Sequence, residues 1–176
     1  MRGYDLVAQA AAEATIFARI SRNGGSAGAP SVLSCADHPF SVKTSWLATA
    51  SHQSTTPRNL PSALVDGTNA RWSSGKAQSG DEWIQIDFGS TVSLRSINLQ
   101  QGSDTNDYPR SYAVIISDTK NDLTGVVRAS GIGTIGVTTT IQLPKVIAGR
   151  YLSIKQLGSS LGWWSIAEVE PSCVDG

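Results

Sequence analysis

The chain has 176 residues, and its 14 Lys plus Arg balance 14 Asp plus Glu to a formal net charge of zero. That balance, with no Lys/Arg cluster anywhere, argues against a nucleic-acid partner, which needs a basic surface to displace counterions. No apolar run approaches the roughly 18 residues of a membrane-spanning helix. The length suits one domain with a proper core and some additional chain. Abundant Gly, Ser and Thr with only two histidines suit an all-β extracellular module better than a cytosolic enzyme.

Residues 1–22 differ from everything after them. Leu6, Ala10, Ala14, Phe17 and Ile20 recur at helical spacing in an Ala-rich stretch, which predicts a short helix. Asp5 and Glu13 interrupt any apolar core of a signal peptide. "NGGSAGAPS" over 23–31 reads as a flexible linker. The domain boundary is therefore expected between 1–31 and 32–176. With no secretion signal ahead of it, the chain reads as a piece excised from a larger secreted protein.

From Ser41 onward the pattern changes to short β segments between turn residues. The segments are 44–51, 82–89, 92–100, 111–118, 125–130, 137–144, 150–156 and 165–170. In "EWIQIDFG", Ile84, Ile86 and Phe88 alternate with Trp83, Gln85 and Asp87 before a Gly turn. In "VSLRSINLQ" the apolar phase slips by one residue between Leu94 and Ile97, as a β-bulge would produce. Eight short strands rich in β-branched residues, with no second helix, predict an all-β sandwich. The cysteines, Cys35 and Cys173, are too far apart for a CxxC redox or zinc motif. They are either one disulfide joining the two ends of the domain, or two unrelated buried thiols. A disulfide closing so long a loop would stabilise by about 4–5 kcal/mol at best and would place the protein in an oxidising compartment.

The ordered stretches "ALVDGTNARWSSG", "DEWIQIDFGS", "DYPRSYAVIIS", "GRYLSIKQ" and "WWSIAEVE" resemble the discoidin, or F5/8 type C, family, which overlaps carbohydrate-binding module family 32. The resemblance covers about Ser41 to Pro171. It implies an eight-stranded jelly-roll β-sandwich that binds a polysaccharide or glycan through loops at one end, or in some members lipid or protein. It also implies a non-catalytic appendage of a secreted glycan-active enzyme, with an adhesion or protein-interaction domain as the alternative. A disulfide joining the chain ends, as in some members, fits Cys35 and Cys173.

The resemblance further implies a structural calcium ion. Asp66 of "DGTNARW" and Glu168 of the last strand match the family's acidic ligands, with Ala63, Thr68 and Ala70 as backbone donors. Calcium takes six to eight oxygens, many of which carbonyls can supply. This loop is one residue shorter than the family pattern, lacks its second acid, and carries Ala70 where a Thr is usual. The competing expectation is a loop that closes on itself through an Asx-turn at Asp66.

For the ligand, the resemblance points to loops 52–61, 73–81 and 101–110. The third combines Asp104, Asn106, Asp107, Tyr108 and Arg110, and Gln101 opens it. Trp163 stands where the family often places an exposed aromatic. Sugars present C–H patches edged by hydroxyls, so an aromatic face beside fixed polar groups suits them. Trp164, next along an extended stretch, should point the opposite way and be structural; Trp46, Trp72 and Trp83 should pack inside. Galactose-binding members tend to carry His and Arg where this chain has Ser73 and Gln101, so a glucan or an amino-sugar polymer is as well matched. Neither His38 nor His52 lies near a nucleophile motif, which leaves little support for catalysis. The polar tips of loops 52–61 and 73–81 argue against lipid.

Overall fold

The computed structural model describes Lys43, residues 45–136 and residues 138–172. The expected helix and linker over 1–31, the boundary that follows them, and Cys35 and Cys173 lie outside the described residues. Within those residues the strands are β1 (Leu47–Ala50), β2 (Trp72–Ser73), β3 (Trp83–Gln100), β4 (Tyr112–Ser117), β5 (Val127–Gly131), β6 (Thr138–Gln156), β7 (Ser165–Ile166) and β8 (Glu168–Ser172). A 3-10 helix over Pro61–Val65 joins β1 to β2.

The fold is an all-β sandwich built on two long antiparallel strands, β3 and β6. The first half of β3 and the second half of β6 carry β1, β4 and β5, in the order β1-β3-β6-β4-β5. The second half of β3 instead pairs with β8, from Gln100 opposite Glu168 to Ser96 opposite Ser172. Two layers thus share the same two central strands.

The sequence divides each of these long strands in two, at 89/92 and at 144/150, whereas the structure joins them. The reason lies in the ladder between them. Residues 88–91 of β3 stand opposite Arg150 alone, and residues 143–146 of β6 stand opposite Arg95 alone. Excess residues on one side of a pair bend it without ending it. At the first bend Gly89 takes φ +82, and its N–H donates to Asp87 Oδ1 at 2.8 Å. At the second, Pro144 falls where the ladder is already interrupted, so its missing N–H breaks no pairing. The predicted phase slip after Leu94 coincides with this second irregularity.

The inward residues form one cluster. Ile84, Ile86, Phe88, Val92, Leu94, Ile97 and Leu99 of β3 meet Ile141, Leu143, Ile147, Leu152 and Ile154 of β6, all buried. Trp46 packs edge-on against Phe88, with ring centroids 4.8 Å apart. Gln85, on the opposite face of β3, is buried as well. Its amide donates to Ser153 Oγ at 2.8 Å, and its oxygen accepts from the N–H of Asn121 at 3.2 Å. The loop after β4 therefore covers part of the face that alternation alone leaves to solvent.

The first bend is clamped from outside by Arg150, which donates from Nε and Nη2 to the two Asp87 oxygens at 2.7 and 3.0 Å. Arg150 holds the Asp87 carboxyl below the ordinary carboxylate range, against the opposing effect of burial. The folded state thus binds this proton more weakly than the unfolded chain. The stabilisation is complete above the unfolded value of about 3.9 and is lost as pH falls through the lower folded value. Urea melts of wild type and Asp87→Asn should therefore differ near neutral pH and converge in acid. A constant gap down to the acid end would remove the pair from the bend's stability.

Candidate functional site

The candidate ligand loop, 101–110, joins β3 to β4 and is folded largely by its own polar groups. Gly102 turns it at φ +72, and the Asp107 N–H donates to the Asp104 carbonyl at 3.0 Å. Arg110 Nη2 donates to the Asn106 carbonyl at 3.0 Å, and the guanidinium lies over the Tyr108 ring, 3.8 Å from its centroid. Asp104 is ion-paired with Arg71. Asp107 is strapped to β7 twice, since its carbonyl accepts from the Ser165 N–H at 3.0 Å and its carboxylate from the Ser165 hydroxyl at 2.6 Å.

Trp163 lies beside this loop through a residue that the sequence does not single out. Gln78 is buried, and its amide nitrogen donates to the carbonyls of Tyr108 at 3.0 Å and Trp163 at 2.8 Å. Its amide oxygen accepts from the Arg110 N–H at 3.1 Å and from the Gln156 amide. Its own backbone pairs with Gly162 and Ser160. One side chain thus fixes the 73–81 loop, the 101–110 loop and the 157–164 segment to each other.

The two neighbouring tryptophans project in opposite directions. Trp163 is 42% exposed and Trp164 0%. Trp164 stacks edge-on against Trp72, with centroids 5.1 Å apart at 87°, and its backbone pairs with Ser74. Trp72 and Trp46 are buried as expected, while Trp83 is half-buried.

Three further exposed apolar residues gather near the loop. The N–H groups of Gly133 and Gly136 donate to the carbonyls of Pro109 and Thr105, at 2.9 and 3.0 Å. These bonds bring Ile132 and Ile135, both largely exposed, to its flank. Leu161, 96% exposed, stands two residues before Trp163. The only sequence signal for Ile132 and Ile135 was large aliphatic residues isolated in a Gly-rich stretch, "SGIGTIG".

Other expected positions differ. Gln101 does not reach the ligand surface: it is fully buried, with its amide donating to Thr139 Oγ1 at 2.8 Å. The 73–81 loop is closed on itself, with Lys76 paired to Asp81 at 2.8 Å and to the buried Glu82 at 3.4 Å. Burial pulls Glu82 upward, but hydrogen bonds led by the Ser79 backbone outweigh it and leave its carboxyl below the ordinary range. His52 Nδ1 lies 2.9 Å from Ser51 Oγ. That hydroxyl is itself engaged by the Trp83 backbone N–H at 2.9 Å.

Asp66 and Glu168, two of the residues expected to hold calcium, each have a partner within the chain. Glu168 is buried, and one of its oxygens accepts from the Gly67 N–H at 3.0 Å while the other takes the Lys43 ammonium. Burial pushes the Glu168 carboxyl up, and Lys43 opposes that shift. Asp66 Oδ1 accepts from the Thr68 N–H at 2.8 Å, and Thr68 Oγ1 from the Ala70 N–H at 3.0 Å. This is the self-closing Asx-turn, with Ala63 at the 3-10 helix before it. Among the described residues no group of three or more His, Cys, Asp or Glu could hold a metal. With an ammonium on the one buried carboxylate, this arrangement does not fit a divalent ion.

The F5/8 type C domain family model matches residues 48–169. The family 32 carbohydrate-binding module of C. perfringens NanJ, solved with galactose, is 18% identical. The alignment covers 73% of this chain and 94% of that one, with a TM-score of 0.62. Chitosan-binding module 2 of a Paenibacillus sp. IK-5 chitosanase/glucanase, solved with chitotriose, is 19% identical over 71% and 94%, with a TM-score of 0.59. The family 32 module of AlyQ, solved with 4,5-unsaturated mannuronic acid, is 24% identical over 72% and 93%, with a TM-score of 0.57. No curated protein matches the chain in sequence.

The opposite settings of the paired tryptophans set opposite costs. Trp164→Ala should lose about 3–5 kcal/mol of stability in urea unfolding. Trp163→Ala should lose less than about 1 kcal/mol, as an exposed ring leaves no internal cavity. Equal losses would put both rings in the core.

Proposed function

The chain belongs to the F5/8 type C domain family, and we propose that it is a non-catalytic carbohydrate-binding module. Its site is centred on Trp163 and the 101–110 loop. The observation that carries this reading is the exposed Trp163 ring, on a backbone that the buried Gln78 amide ties to those of Tyr108 and Arg110. A flat aromatic face takes the C–H side of a sugar ring, and neighbouring polar groups take its hydroxyls. Asp104 is neutralised by Arg71, which suits an uncharged glucan better than a cationic amino-sugar polymer. The buried Gln101 and Ser73 lend no support to a galactose-type preference.

One small site of this kind binds weakly, and its use lies in multiplicity. Joined to a catalytic domain, it raises the local concentration of that domain on an insoluble polymer. The proposed setting is thus an appendage of a secreted glycan-active enzyme, outside the cell, with Cys35 and Cys173 joined as a disulfide. The disulfide is checked by mass spectrometry, where reduction should add two hydrogens and separate a Cys35–Cys173 peptide pair. Two alkylatable thiols in the native protein would refute it.

A second reading, adhesion through a protein partner, is favoured by the exposed Ile132, Ile135 and Leu161 around the same loop. Pull-down on insoluble polysaccharides and a glycan array separate the two. The carbohydrate reading expects retention on at least one glycan, a change in tryptophan fluorescence on binding, and loss of both in Trp163→Ala. Retention on none would favour the protein partner, and glycan binding untouched by Trp163→Ala would place the sugar site away from that ring.

A further inference from the structure

We propose that the Lys43 ammonium stands in for a divalent cation at the Asp66–Glu168 site, so that this domain is held together by a tethered lysine and needs no calcium. The geometry points to a cation position that is filled from within the chain. Lys43 Nζ donates to Glu168 Oε1 and, at 3.1 Å, to the Val169 carbonyl. It also faces the Trp46 ring, 5.9 Å from its centroid. An ammonium has three donors and no acceptor, and this pocket offers it a carboxylate, a carbonyl and an aromatic face.

The lysine is positioned as well as paired. Its carbonyl accepts from the Trp46 N–H at 2.9 Å, and Trp46 is locked edge-on against Phe88 in the core. Its side chain is about as buried as that of Glu168, at 12% and 9% exposure. The ammonium therefore links the stretch before β1 to the end of the chain at β8. The second Glu168 oxygen extends the link to the Gly67 turn. A metal ion held by Asp66 and Glu168 would join the loop to the last strand only, and it would come from solution.

Charge and ligand number both favour the lysine. One carboxylate and one ammonium form a neutral buried pair, whereas a dication beside Lys43 would place three positive charges against Glu168 and Asp66. Calcium also needs six to eight oxygens. Here both Glu168 oxygens are engaged, by Lys43 and by the Gly67 N–H, and one Asp66 oxygen already accepts from the Thr68 N–H.

Thermal melts of the full chain in calcium chloride and in EDTA test this, together with Lys43→Met, Lys43→Arg and the Lys43→Met/Glu168→Gln double variant. The wild type should melt identically in the two solutions. Lys43→Met should melt lower by about 5–10 °C, because it leaves a buried carboxylate unpaired. Lys43→Arg should recover part of that loss, and so should the double variant, because it removes the carboxylate charge that Lys43→Met leaves unpaired. Should Lys43→Met fail to fold, calcium titrated calorimetrically into the wild type still decides, and it should give no binding heat. Saturable calcium binding, a wild-type melt lowered by EDTA, or a Lys43→Met melt equal to wild type would overturn the proposal.

Discussion

The candidate site depends on a single buried amide. Gln78 has two donor hydrogens and two acceptor lone pairs on its side chain, and all four positions are used, alongside its own backbone N–H and C=O. Satisfaction this complete matters because a buried polar group left unpaired costs more than a formed hydrogen bond returns. A non-polar residue here would leave the carbonyls of Tyr108 and Trp163 without a donor. The three segments would then have to find water or separate. Order in the loops is thus obtained from one interior side chain, and the Trp163 backbone inherits its fixed position.

The scaffold beneath makes this possible by letting two strands serve two layers. Because β3 and β6 bend together at matched irregularities, the ends of both sheets emerge close to one another. The loop after β3 then lies near the segment leading into β7. The doubled strap from Asp107 to Ser165 follows from that closeness. So does the pairing of β2 with β7, which carries Trp72 against Trp164 and closes the core below the loops.

What the sequence revealed and what it hid divide along the range of the interactions. Trp163 and Trp164 could be told apart because alternation in an extended stretch is a property of adjacent residues. The apolar faces of β3 and β6 were legible for the same reason, and the five family stretches conveyed the jelly roll. Gln101 was misplaced because its direction depends on Thr139, a partner 38 positions away. Lys43 was overlooked because its meaning comes from Glu168, 125 positions away. Gln78 carried no local signal, being one polar residue in a polar loop. The division of the long strands failed because Gly89 and Pro144 mark bends as readily as ends, and only the partner strand distinguishes them.

The partners of Gln78 on the two candidate ligand segments are the main-chain atoms of Tyr108, Trp163 and Arg110. None of these bonds reads the identity of the residue it holds. Substitution at 163 can therefore alter the exposed face while the loops stay where they are, whereas at 108 and 110 the side chains also hold the loop, through the Arg110–Asn106 bond and the Arg110–Tyr108 stack. Side-chain identity and architecture are uncoupled at position 163. A lineage, or a designer, could retarget the surface by side-chain exchange alone, as with interchangeable bits in a fixed chuck.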